Sequence, residues 1–149
     1  MGKGNSEEEV PMNAQAGKKK ILIVDDEESF LDTLSIRLGR EGYEVFGAPT
    51  GEKGLELAQT QEPDLILLDI FLPGDDGLAI LKKLKRPLDP ETSGPSKTRT
   101  IPVIVLTGRG EKMEEVVRME EAFAFFTKPV DTRSLLISIQ RALESKNPS

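Results

Sequence analysis

The sequence predicts an α/β domain: a parallel sheet with helices on both faces. Three observations carry this. Short apolar runs alternate with amphipathic segments five times over. The runs are unbroken Ile/Leu/Val stretches, as expected of strands covered on both faces. Most of the links are short, which keeps successive elements adjacent in space.

Taken in order, "ILIVD" (Ile21 to Asp25) is the first strand. From Glu28 to Arg40, apolar residues recur at Phe30, Leu31, Leu34 and Leu38, a helical spacing that stops at Gly42, a C-cap residue. "YEVFGA" (Tyr43 to Ala48) is the second strand. Thr50 caps a short helix carrying Leu55, Leu57 and Ala58, which ends before Pro63. "LILLD" (Leu65 to Asp69) is the third strand. The helix after Gly77 places Leu78, Leu81 and Leu84 on one face and Lys82, Lys83 and Lys85 on the other. "VIVLT" (Val103 to Thr107) is the fourth strand, followed by a helix through Val116 and Val117. "AFFT" (Ala124 to Thr127) is the fifth. Asp131 caps the last helix, with an apolar stripe of Leu135, Leu136, Ile139, Ala142 and Leu143.

Residues 1–18 read as a flexible tail that cannot bury much surface, and residues 146–149 as a short C-terminal tail. The link over residues 86–100, rich in Pro, is an extended loop, longer than such connections usually are.

Composition narrows the chemistry. The chain has 149 residues, 37% hydrophobic and 31% charged, which suits one soluble domain. It has neither Cys nor His, which removes disulfides, thiolate or imidazole metal sites and His-based acid–base catalysis. A net charge of −6 argues against a nucleic-acid binder, and no apolar run suits a signal peptide or a membrane span. A cytoplasmic protein is expected.

In an open parallel sheet, ligands bind at the carboxyl ends of the strands. Those ends carry Asp25 and Asp26, Asp69, Thr107 and Lys128. Two like charges a few ångströms apart repel by about 4 kcal/mol at an effective dielectric near 20. Three carboxylates in one pocket therefore call for cations. Lys128 supplies one positive charge and a divalent ion two. Oxygen ligands suit Mg²⁺ or Mn²⁺, and such a site usually engages a phosphoryl group.

"VDDE" (Val24 to Glu27), "LLDIFLPGDDG" (Leu67 to Gly77), "PVIVLTG" (Pro102 to Gly108) and "FFTKPV" (Phe125 to Val130), each at a strand end, together resemble the receiver domains of two-component response regulators. The resemblance covers residues 19–145. It implies a single (βα)5 flavodoxin-like domain with strand order 2-1-3-4-5.

It also implies a function, phosphoacceptor in a phosphorelay. Asp69 would take a phosphoryl group from a histidine kinase or phosphotransfer protein, giving an acyl phosphate. Asp26 would be a direct Mg²⁺ ligand, with Asp25 beside it and the Asp69 carboxylate and the Phe71 backbone carbonyl completing the protein's ligands. Thr107, Gly108 and Lys128 would receive the phosphoryl oxygens. Thr107 and Phe125 would form the switch, altering a face made by the fourth helix, fifth strand and fifth helix. Pro129 is a cis-peptide candidate. The side chains of Phe71 and Arg109 would border the phosphoryl group, a bulky apolar group opposite a long cation, which implies slow hydrolysis. Asp75 stands where many relatives carry Met, Glu121 where a Gly usually precedes the fifth strand, and Phe125 lacks the hydroxyl of a Tyr.

Self-catalysed phosphorylation and dephosphorylation would be the protein's only catalysis, so it is not expected to be an enzyme in its own right. The chain ends soon after the last helix, with "ESKNPS". The output is therefore expected to be a contact with a downstream protein, made by a monomer or a phosphorylation-dependent dimer. Two rival readings make different demands. A haloacid-dehalogenase-type phosphatase needs an acid two residues after its Asp nucleophile, where this chain has Phe71. A degenerate receiver acting as a constitutive interaction module would lack an acidic or Lys position, and none is missing.

Overall fold

The computed structural model describes residues 17–72, 75–85, 98–108, 118 and 120–146, without the side chains of 75, 76 and 146. The helix expected through Val116 and Val117, Arg109, most of the two terminal tails and most of the 86–100 link lie outside the described residues.

Five strands form the sheet: β1 (Lys20–Val24), β2 (Glu44–Ala48), β3 (Leu65–Leu68), β4 (Val103–Thr107) and β5 (Ala124–Thr127). All pairings are parallel and the order is β2-β1-β3-β4-β5, which is the 2-1-3-4-5 order the resemblance implies. The helices are α1 (Glu28–Arg40), α2 (Gly51–Gln61), α3 (Gly77–Lys85) and α4 (Thr132–Lys146).

The unbroken apolar runs have the expected cause. Every residue of β3 and β4 is buried, because side chains of successive residues serve opposite faces and both faces are covered. On one face Leu22, Val24, Ile66, Leu68, Val103 and Val105 pack under α2 and α3. On the other, Ile21, Ile23, Leu65, Leu67, Ile104 and Leu106 pack under α1 and α4, through Leu34, Leu38, Leu135 and Ile139.

The helix boundaries have local reasons. Gly42, just past α1, adopts φ 96, the left-handed backbone that closes a helix. Thr50 Oγ1 accepts the Lys53 N–H at 3.1 Å and caps α2. Before α4, the Asp131 carbonyl accepts the Leu135 N–H at 3.0 Å, while its carboxylate takes the Ser134 hydroxyl at 2.7 Å. Asp75 and Asp76 pair with Phe71 and Leu72 in a two-residue antiparallel ribbon leading into α3.

One reading needs correcting. Lys85 does not share the solvent face of Lys82 and Lys83; it is 5% exposed. The last turn of α3 abuts the chain entering β4, and Lys85 Nζ donates to the carbonyls of Arg99 (3.1 Å) and Ile101 (2.5 Å). Thr98 Oγ1 donates in return to the Leu84 carbonyl at 2.7 Å. Buried carbonyls outside the sheet ladder need donors, and a long cationic side chain supplies them.

No helix among the described residues is long and apolar enough to cross a membrane.

Candidate functional site

The register of the parallel sheet builds the site. Val24 pairs with Leu68, so the next residues, Asp25 and Asp69, leave the sheet side by side. Backbone bonds hold both in place: Asp69 N–H donates to the Val24 carbonyl and Asp25 N–H to the Ala48 carbonyl, each at 2.9 Å. Thr107 ends β4, and its carbonyl accepts the Lys128 N–H at 2.8 Å, which seats Lys128 at the same edge. The Lys128–Pro129 peptide is cis.

Lys128 crosses the gap. Its Nζ lies 2.7 Å from Asp25 Oδ2, 3.2 Å from Asp69 Oδ2 and 3.5 Å from Glu27 Oε1. The remaining carboxylate oxygens face backbone donors. Asp25 Oδ1 accepts the Glu27 N–H at 2.9 Å, and Asp69 Oδ1 accepts the Phe71 N–H at 2.8 Å. Asp26 is exposed beside them. Carboxylate oxygens of Asp25, Asp26 and Asp69 lie within 4.8 Å of one another.

Burial sets the electrostatics. Loss of water lifts the Asp69 carboxyl above the usual carboxylate range; the Phe71 N–H and the Lys128 charge pull down, and the Asp25 charge pushes up. Burial works against the Lys128 ammonium, yet the hydrogen bond and charge of Asp25, then those of Asp69, outweigh it and raise its pKa. The carboxylates of Asp25, Asp26 and Asp69, with Glu27 at the edge, outnumber the one ammonium, so this donor set suits a hard divalent cation.

The other expected residues lie around this cluster. Thr107 is fully buried. It shares a sheet face with Val105, whose pairing partner is Phe125, so Thr107 and Phe125 are diagonal neighbours on the face toward α2 and α3. Gly108 is exposed, and a Cβ there would meet nothing within 4 Å among the described residues. Phe71, 43% exposed, stands at the rim. Glu27 and Phe30 were missed as neighbours of Lys128. Phe30, on the first turn of α1, holds its ring centroid 4.2 Å from Lys128 Nζ. An aromatic at helical spacing reads as core, and only the structure reveals its second contact.

Residues 21–140 match the response regulator receiver domain family. The chain belongs to that family. Over 126 residues it is 36% identical to the alkaline phosphatase synthesis transcriptional regulatory protein PhoP of Bacillus subtilis, covering 84% of this chain and 48% of PhoP. It thus spans about half the length of that curated relative. Among solved structures, a CheY-like receiver domain protein from Methanospirillum hungatei is 33% identical, with a TM-score of 0.73, over 87% of this chain and 97% of that one. The BeF3-activated N-terminal receiver domain of RstA from Klebsiella pneumoniae is 25% identical, with a TM-score of 0.72, over 85% and 99%.

Proposed function

We propose that this receiver domain is a phosphoacceptor: Asp69 takes a phosphoryl group from a histidine kinase or phosphotransfer protein, and the change is read by a downstream protein. The observation that carries the reading is the cluster itself, in which a lysine ammonium bridges the buried Asp25 and Asp69 beside the exposed Asp26.

In the transfer, an Asp69 carboxylate oxygen forms a bond to phosphorus as the phosphorus–nitrogen bond of the donor phosphohistidine breaks. The imidazole leaves with the electron pair. Two groups already orient the nucleophile, since the Phe71 N–H fixes Oδ1 and Lys128 addresses Oδ2. A short pivot moves the ammonium from Asp69 to an incoming phosphoryl oxygen, where it meets developing charge. Thr107 offers its hydroxyl to another oxygen, and Gly108, which has no side chain, leaves room beside it. Asp25, Asp26, Asp69 and the Phe71 carbonyl would hold Mg²⁺, or Mn²⁺ in its place. When bound, the ion supplies the positive charge that the three carboxylates and the phosphoryl group together require. That RstA was solved in a BeF3-activated form supports the same reading here, because BeF3 stands in for a phosphoryl group.

The switch would run through Thr107 and Phe125. A Thr107 drawn toward the phosphoryl group vacates space that its diagonal neighbour can enter. A phosphoryl mimic is expected to change both rotamers by NMR, and unchanged rotamers would refute this route. Phe71 and Arg109 would limit access of water to the acyl phosphate.

The deciding experiment is intact-mass measurement after incubation with acetyl phosphate and Mg²⁺. One added phosphoryl group, absent in Asp69→Asn, is expected. A wild-type chain that gains none leaves a constitutive interaction module as the better reading.

A further inference from the structure

The Lys128 ammonium has three oxygens on one side and an aromatic face on another: Asp25 Oδ2 at 2.7 Å, Asp69 Oδ2 at 3.2 Å, Glu27 Oε1 at 3.5 Å, and the Phe30 ring centroid at 4.2 Å. The oxygens can engage the three N–H donors. The ring covers a side that water would otherwise occupy, and the Lys128 side chain is only 16% exposed. We propose that Phe30 is a positioning residue for phosphoryl transfer: its ring holds the Lys128 ammonium by a cation–π contact in the place from which it meets the incoming phosphoryl oxygen. This rests on the reading of Asp69 as the acceptor.

The physical case has three parts. A lysine stem is long and loses much rotamer freedom when ordered, so a wall that confines it in advance lowers the cost of placing it in the transition state. The attraction is electrostatic and spread over the ring face, so it persists as the ammonium pivots from Asp69 to a phosphoryl oxygen. A hydrogen bond to a fixed acceptor would have to break in the same movement. Excluding water also strengthens the pull of the ammonium on the phosphoryl charge.

Phe30 is itself firmly placed. It lies on the first turn of α1 and packs against the core face that holds Leu34, Leu38 and Leu135. That packing is also the competing explanation for an aromatic residue there, and the test has to separate the two.

Initial rates of Asp69 phosphorylation by acetyl phosphate in saturating Mg²⁺ would be followed by intact mass. Phe30→Leu keeps apolar bulk and removes the ring; Phe30→Tyr keeps the ring. The Leu variant is expected to charge roughly three- to ten-fold more slowly, and the Tyr variant within about two-fold of wild type. In a Lys128→Gln background the same Leu change should cost nothing further, because the ring would have no cation to hold. A Leu variant that charges at the wild-type rate overturns the proposal. So does an equal loss in Leu and Tyr, or a Leu penalty that survives in the Gln background, since either assigns Phe30 to packing alone. A wild-type chain that gains no phosphoryl group overturns the acceptor reading and this one with it, whereas the first three results overturn this one alone.

Discussion

Gly77 lies so close to Ile70 that a Cβ built on it would stand 2.1 Å from Ile70 Cα and 2.6 Å from its carbonyl carbon and oxygen. Its N–H also donates to the Ile70 carbonyl at 3.1 Å. This contact closes the loop that leaves Asp69 and carries the Phe71 N–H to Asp69 Oδ1. Gly77→Ala must therefore move backbone, and is expected to cost at least about 1–3 kcal/mol in urea denaturation. At Gly54, by contrast, a built Cβ meets side-chain atoms rather than backbone, Val24 Cγ2 at 2.7 Å and Cγ1 at 3.1 Å. Gly54→Ala is expected to cost less, and equal costs would contradict the distinction.

Asp69 is expected to make the metal-free protein less stable at neutral pH. Burial raises its folded pKa above the unfolded value, so the folded state favours the protonated carboxyl. The associated stability is present below the unfolded pKa and is lost as pH rises through the folded one. In EDTA, Asp69→Asn is expected to raise the melting temperature at pH 7, with a gain that shrinks as pH falls through the raised folded pKa and is gone below the usual carboxylate range. A gain that grew toward acid would reverse the sign of the argument.

Lys128 is the cation that compensates Asp25, which is 1% exposed. Removing one partner of a largely buried pair strands the other charge. Lys128→Gln is expected to cost up to about 3 kcal/mol in EDTA, partly recovered on adding Mg²⁺ if the three carboxylates bind it. Calorimetric melts with and without Mg²⁺ measure both, and an identical loss in the two conditions would argue against the metal site.

The residues legible in the sequence were those whose positions follow from the sheet. Asp25 and Asp69 end apolar runs, and parallel register brings run ends together, so their meeting with Lys128 needed no knowledge of side-chain conformation. Phe30 and Lys85 were not legible, because each has two roles and the helical pattern displays one. Phe30 reads as core and also touches an ammonium. Lys85 reads as the third member of a solvated lysine stripe, and only the chain returning into β4 gives it backbone acceptors.

That difference among the lysines can be measured. Lys85→Met removes the donors that serve the Arg99 and Ile101 carbonyls and is expected to cost about 1–3 kcal/mol. Lys82→Met and Lys83→Met, at exposed positions, are expected to stay within about 0.5 kcal/mol of wild type. Three equal effects in urea denaturation would return Lys85 to the solvated stripe.

Glu121 stands where the family pattern favours Gly, and its backbone explains the preference. Its φ is 69, in the left-handed region, just before Phe123 N–H bonds to the Val103 carbonyl at 2.7 Å and β5 begins. A residue with a Cβ loses about 1–2 kcal/mol in that region. Gly avoids the clash but forfeits roughly 0.5–1 kcal/mol through the greater freedom of its unfolded chain. The first term is larger, so Glu121→Gly is expected to stabilise the domain by about 0.5–1 kcal/mol. The same substitution at Glu144, exposed within α4, should instead cost about 1 kcal/mol, because there Gly relieves no strain and weakens the helix. Opposite signs at the two positions in thermal melts would locate the strain at Glu121, and a loss at both would remove it.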